Sequence, residues 1–293
     1  MIENNEIKYK VGLLTFEQFQ GKGINWAGSS RIRGRWLVKY WDDAEIFNMG
    51  SKYDVVIYQK AYWIDHAKKF TGIKILDLCD PDWMYWQYRV VEMINEVDAV
   101  TTSTEALANA IREFTDKPVV CIPDRLDLMF YKERKFHKGP AKWVVWYGYS
   151  SNFELLKPVL FFLKKFNLNL IVIADRGFSL PSSVANSIEL RNIPWSIDTV
   201  NRDILEGDIV VNPFSSAGKW KYKSNNKTIT AWALGMPVAH DVEDLEKFID
   251  EEERKKEVKE RLQEVQEKYD VRLSVVAYKE LIEEIAKKKN LTI

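Results

Sequence analysis

Between residues 219 and 227 the chain sets four lysines, Lys219, Lys221, Lys223 and Lys227, around the run Ser224-Asn225-Asn226. Ser and Asn favour the position before a helix, because their side chains satisfy backbone N–H groups left free there. Those N–H groups and the helix dipole attract negative charge, and lysines beside them strengthen the attraction. A phosphate or diphosphate is the group this arrangement suits. The plain alternative is a basic, solvated loop. The turn Gly235-Met236-Pro237 and a short apolar run follow.

Other residues with chemical potential stand just after apolar runs. After VGLLTF (11–16) come four glycines between positions 21 and 34, with Ser29, Ser30, Arg31 and Arg33. Glycines permit close backbone approach, and arginine forks recognise phosphate or carboxylate; surface arginines on a flexible loop are the alternative. After KILDLC (74–79) come Asp80-Pro81-Asp82-Trp83. Asp80 fits a general base or a sugar-hydroxyl acceptor there, and equally a turn residue before proline. Ser103 or Thr104 fits a helix cap. In the second half, Gly148-Tyr149-Ser150-Ser151-Asn152 follows one run at a phosphate-cradle position, without the GxxxxGK[ST] of a P-loop. Asp175-Arg176 ends the next, Pro194-Trp195 the next, and Asn212-Pro213-Phe214-Ser215 the fourth, which leads into the lysine segment.

These runs must be strands. They are continuous Val/Ile/Leu stretches separated by helical patterns, as parallel strands covered on both faces require. A first series comprises 11–16, 54–59, 74–79, 98–103 and 118–123. The polar stretch KERKFHKGPAK (132–142) resembles a linker. A second series comprises 142–148, 169–175, 187–193, 208–214 and 237–241. Two successive βαβ series predict an α/β protein of two doubly wound, Rossmann-like domains facing a cleft, with C-terminal helices. The boundaries are 1–137 for the first domain, 138–270 for the second, and 271–293 for a last helix packing back on the first. In such sheets ligands sit outside the carboxyl ends of strands, where the residues above lie.

Composition narrows the classes. Lys+Arg and Asp+Glu number 43 each among 293 residues, so no global field draws the chain to nucleic acid or an anionic membrane. The N-terminus is polar and no apolar run approaches membrane-spanning length, so a cytoplasmic protein without stable membrane insertion is expected. Cys79 and Cys121 are far apart and fit buried thiols in a reducing compartment. The three histidines are dispersed and Asp42-Asp43 makes no metal motif, so no metal is expected.

Two segments carry a family resemblance. Residues 97–131, VDAVTTSTEALANAIREFTDKPVVCIPDRLDLMFY, with the turn Ile122-Pro123-Asp124-Arg125-Leu126-Asp127, are similar to the end of the N-terminal domain in GT-B glycosyltransferases of the group 1, family 4-like class. GDIVVNPF followed by KSNNKTITAWALGMPV resembles that class's donor-binding segment, with Lys227 matching its lysine and Gly235-Met236-Pro237 its turn. The resemblance implies a retaining, metal-independent transferase using a nucleotide-diphosphate sugar, with no cofactor beyond that donor. It implies a donor site of Ser150, Ser151, Asn152, Arg176, Trp195, Asn212, Ser215, Lys223, Ser224, Asn225, Asn226, Lys227 and Thr230. Lys227 and Asp80 are the catalytic candidates, and Arg31, Arg33 and Trp83 the acceptor-side ones.

The chain departs from the class in one respect. The class's two glutamates, with seven residues between them, are replaced here: Thr230 stands three residues after Lys227, and Tyr222 eight residues before Thr230. Threonine accepts a hydrogen bond but supplies no carboxylate. The class's glycine-rich turn is replaced by GYSSNFELLK, with Lys157 displaced. Other functions therefore stay beside the transferase: a nucleotide- or sugar-binding protein without turnover, a nucleotide-sugar epimerase, or a transferase acting on modified DNA bases. The acceptor is left open among a glycan, a lipid-linked sugar, a small molecule and a modified nucleobase. Trp26, Trp83 and Trp86 offer faces for sugars or bases alike.

Overall fold

The computed structural model describes residues 9–24, 27–213, 215 and 217–290; Trp26 and Phe214, singled out above, lie outside them. The chain divides into two compact units. The first takes the chain up to Asp127, the segment Ala217–Ser224 and the chain from Asp270 onward; the second takes Leu128–Ser216 and Asn225–Tyr269.

The first unit is built on six parallel strands: β1 (Val11–Leu14), β2 (Ala44–Ile46), β3 (Val55–Gln59), β4 (Ile73–Leu78), β5 (Ala99–Thr102) and β6 (Val119–Cys121). Their order is β2-β1-β3-β4-β5-β6. β1, β3 and β5 are buried at every position, which is why they read as unbroken apolar runs. β2 went unseen in the sequence because only three residues of mixed polarity pair, Ala44 to Ile46 against Val11 to Leu13. Helix Val271–Lys288 belongs to this unit. Its buried Val271, Ser274, Val275, Tyr278, Leu281, Ile282 and Ile285 repeat at helical spacing, giving one apolar stripe. The segment Ala217–Ser224 also docks here: Thr104 Oγ1 donates to the Tyr222 carbonyl at 3.2 Å, and the Tyr222 ring meets Trp83 edge-on at 5.1 Å.

The second unit has five parallel strands: β7 (Trp143–Tyr147), β8 (Asn169–Ala174), β9 (Leu190–Pro194), β10 (Ile209–Val211) and β11 (Val238–Ala239). Their order, β11-β10-β7-β8-β9, is that of a doubly wound sheet whose direction reverses between β7 and β10. Helix Asn226–Ala233 ends in a Schellman closure. Met236 N–H reaches the Ala231 carbonyl and Gly235 N–H the Trp232 carbonyl, both at 2.9 Å, with Gly235 at φ 70.

The stretch 132–142, read as a linker, is bound into this unit. Arg254, fully buried, donates to the carbonyls of Phe248, Ile249 and Gly139 at 2.8, 2.8 and 2.6 Å. Its Nε donates to His137 Nδ1 at 3.2 Å, and His137 Nε2 donates to the Gly235 carbonyl at 2.9 Å. Polar residues bonded to buried carbonyls thus mimic linker composition. Both cysteines are free, Cys79 buried and Cys121 half-buried.

Candidate functional site

In the second unit the place to look is the carboxyl end of β7 and β10, where strand order reverses. Gly148 follows β7 at φ 150, and a Cβ there would meet Lys227 Nζ at 2.6 Å. The Lys227 ammonium therefore sits against the Gly148 backbone, 4.9 Å from the Trp146 ring centroid. The Tyr147 hydroxyl, driven well above its ordinary pKa by burial, donates to the Lys227 carbonyl and pins the helix start to β7. From β10, Asn212 Nδ2 donates to Thr228 Oγ1 at 3.0 Å, and its carbonyl pairs with His240 Nδ1 at 2.9 Å. From β8, Asp175 accepts from Ser150 N–H at 2.6 Å and Ser150 Oγ at 2.9 Å. The Ser150 amide bond holds the Asp175 carboxyl below its usual range. Lys227, Ser150 and Asn212 thus all lie at the carboxyl edge of this sheet, with the Lys227 ammonium against the Gly148 turn.

The other donor candidates are distributed around this edge. Ser151 and Asn152 lie on the 3-10 turn Ser150–Leu156. Arg176 is exposed after β8, and Trp195, 37% exposed, follows β9 with its N–H on the Ala174 carbonyl at 2.9 Å. Ser215 and Asn226 are half-buried. Thr230 Oγ1 pairs with the Tyr131 hydroxyl at 3.4 Å. Asn225 stands at the cap position, but its side chain makes no cap bond and donates to the Tyr269 hydroxyl at 3.2 Å instead.

Lys223 and Ser224 belong to the first unit. Lys223 Nζ bonds to Asp80 Oδ1, and Ser224 Oγ donates to Asp124 Oδ2 at 2.6 Å. The basic segment is thus split, with Lys223 on a carboxylate and Lys227 at the β7 turn.

Asp80 lies in a charged cluster that sequence reasoning did not foresee. Lys60, just after β3, has φ 52, left-handed backbone that a side-chain-bearing residue adopts at a cost. Its ammonium reaches Asp80 Oδ2 at 2.5 Å and Asp82 Oδ1 at 3.5 Å, and lies 5.0 Å from the Phe16 ring centroid. The Tyr62 hydroxyl donates to Asp82 Oδ2 at 2.6 Å. Burial pushes the Asp80 carboxyl up, but the ammonium groups of Lys60 and Lys223 outweigh it and hold it below the usual range. At Asp82 burial wins over Lys60 and Tyr62, and the carboxyl is raised. Two neighbouring carboxyls are thus driven apart, a pattern that separates acid and base roles. The signal for Lys60 was its place: a lysine directly after an otherwise buried strand, at a carboxyl edge.

The acceptor-side candidates fare differently. Arg33, 4% exposed, is not available to a ligand. Its Nε and Nη2 donate to Asp77 at 2.8 and 2.6 Å, and its Nη1 to Asp124 Oδ1 at 2.9 Å and the Ile122 carbonyl at 2.8 Å. Asp77 also accepts from Thr101 at 2.7 Å and from Tyr278 at 2.9 Å. Arg33 is therefore the hub of a buried network that ties helix Val271–Lys288 to the sheet. Arg31 is half-buried, its guanidinium 5.6 Å from the Trp36 ring centroid. Trp83 is flanked by Phe114 at 6.1 Å and Tyr222 at 5.1 Å, whereas its neighbours Tyr85, Trp86 and Tyr88 are exposed. Trp86 interrupts helix Trp83–Glu96 at φ −137, ψ 47. Among the described residues no group of three His, Cys, Asp or Glu side chains could hold a metal ion. No helix among them is long and apolar enough to cross a membrane.

No protein-family model matches the sequence, and no curated protein matches it. Solved structures do. HepE of Anabaena, in complex with UDP and glucose, is similar over 94% of this chain and 100% of its own, at 12% identity and a TM-score of 0.67. A DNA-modifying β-glucosyltransferase, solved with and without uridine diphosphoglucose, is similar over 93% of this chain and 99% of its own, at 9% identity and a TM-score of 0.59. AviGT4, a glycosyltransferase of avilamycin A biosynthesis, is similar over 94% and 98%, at 12% identity and a TM-score of 0.54. With two doubly wound parallel units and likeness over nearly the whole chain, the protein has the GT-B glycosyltransferase fold.

Proposed function

We propose that the chain is a glycosyltransferase that moves a sugar from a nucleotide-diphosphate sugar to an acceptor hydroxyl. The observation that carries this is the Lys227 ammonium held at the Gly148 turn, where the second sheet reverses direction. Breaking the bond from the anomeric carbon to the diphosphate leaves negative charge on the departing oxygens. A fixed ammonium beside the start of helix Asn226–Ala233 meets that charge without rearrangement. The structural neighbours that bind UDP or uridine diphosphoglucose support the donor class. Metal-independent transfer with retention, implied by the resemblance at 97–131 and 207–241, completes the proposal. Asp80 is assigned to the acceptor side, as the ionised carboxylate that accepts a hydrogen bond from a sugar or acceptor hydroxyl.

Thr230 favours a second reading. Its hydroxyl faces Tyr131 where the related class has a carboxylate, as suits a protein that binds nucleotide sugars without turnover. A panel of nucleotide sugars, assayed for released nucleoside diphosphate and for calorimetric binding, separates the two. Release that depends on Lys227 supports the transferase; binding with no release on any acceptor supports the second reading.

A further inference from the structure

Three donor candidates of the second unit follow the order of its strands. Lys227 lies against the turn after β7, Asp175 follows β8 and Trp195 follows β9. β8 runs between β7 and β9, and neighbouring strands stand about 4.8 Å apart. The Gly148 turn and Trp195 therefore flank Asp175 across about 10 Å of sheet edge. The Asp175 carboxylate is exposed, and on the β7 side it accepts from the Ser150 amide and hydroxyl at 2.6 and 2.9 Å. On the β9 side Asn192 fastens the same turn, accepting from Phe178 N–H at 2.8 Å and donating to the Phe178 carbonyl at 3.0 Å. A carboxylate accepts at about four sites, so the two Ser150 bonds leave room for hydroxyl donors. The Ser150 amide, read from the sequence as a phosphate donor, already holds an anion.

We propose that Asp175 reads the ribose hydroxyls of the nucleotide, supplying the carboxylate that is absent at Thr230. This rests on the donor class proposed above. A nucleotide with its diphosphate at Lys227 and its base against Trp195 carries its ribose over the end of β8, because the ribose joins the two. In doubly wound sheets that bind dinucleotides, an acidic residue about 20 positions beyond the first glycine turn accepts from a ribose hydroxyl. Asp175 stands 25 positions beyond Ser150 in the corresponding turn. Thr230 offers only a hydroxyl, which pairs with Tyr131. The negative charge of Asp175 also disfavours phosphate at β8, and so directs the diphosphate towards Lys227. Because Ser150 and Asn192 hold the turn beforehand, the hydroxyls meet a carboxylate already in place. Asp175 is thus a specificity-determining residue that selects a ribonucleotide over one without the diol.

The test is calorimetry on the full chain with UDP and with 2′,3′-dideoxyuridine diphosphate, which lacks both ribose hydroxyls. Wild type is expected to prefer UDP by at least about tenfold, as hydrogen bonds to a charged acceptor provide. Asp175→Asn keeps the side chain's shape and an acceptor oxygen for the Ser150 amide. It is expected to cut the preference to about threefold or less, with affinity for the dideoxy nucleotide and the unfolding temperature both preserved. A carboxylate that only clasps Ser150 would weaken both nucleotides alike and leave their ratio unmoved. UDP binding with equal affinity for the two nucleotides in wild type, or with the preference intact in Asp175→Asn, would overturn the assignment and leave the donor class standing. No UDP binding by wild type would overturn the donor class and the assignment together.

Discussion

The Lys227 ammonium stands against Gly148: a Cβ added there would come within 2.6 Å of Nζ and 3.0 Å of Cε. The relationship joins two sequence features 79 positions apart, the turn after β7 and the start of helix Asn226–Ala233. The atoms an added methyl would meet first are the far end of a flexible side chain, so the ammonium gives way before the backbone does.

Gly148→Ala is accordingly expected to weaken donor binding more than it weakens the fold. The substitution also strains a backbone at φ 150. Calorimetry with UDP, set beside thermal unfolding, checks this. Equal donor affinity in the variant would show that the position of Lys227 does not matter to binding.

Thr230→Val keeps the side chain's shape and removes its hydroxyl. If Thr230 serves the donor in place of the missing carboxylate, UDP affinity should fall by up to about tenfold, the equivalent of about 1.4 kcal/mol. Unchanged affinity would assign the hydroxyl to its partner Tyr131 alone.

Arg33→Leu should destabilise the first unit strongly. It leaves Asp77 and Asp124, both buried, without their cation, and breaking a buried pair from one side costs about 3–5 kcal/mol. Denaturant unfolding would register a large fall in midpoint. A fall of under about 1 kcal/mol would show that the network holds nothing together.

Most strands other than β2 were legible because parallel strands buried on two faces write themselves as apolar runs. The lysine segment was legible as a cationic helix start, and Lys227 sits where strand order places a ligand. Arg33 was misread because arginine after a glycine-rich loop looks the same whether it faces solvent or a buried aspartate; Asp77 lies inside β4, concealed in an apolar run. Lys60, β2 and the split of the basic segment depend on long-range pairings, such as Lys223 with Asp80, that no local pattern encodes.

His137 gives a pH dependence of stability. Burial, with the nearby Arg254 charge, holds its imidazole below the ordinary value of about 6.5, against the opposing pull of the Gly235 carbonyl. Below that value the unfolded chain binds a proton that the folded chain refuses, so this contribution is complete above about 6.5 and lost as pH falls. Thermal unfolding at about pH 7.5 and 5.5 should show a drop for wild type that His137→Gln reduces. An identical drop in the variant would remove His137 as its source.

The central claim, a donor diphosphate held by Lys227, is tested most directly by titrating UDP into the wild-type chain and into Lys227→Ala by calorimetry. The account expects saturable binding in wild type and at least about a tenfold loss in the variant, with its unfolding temperature preserved. Equal affinity in the two proteins, or no binding by either, would contradict it.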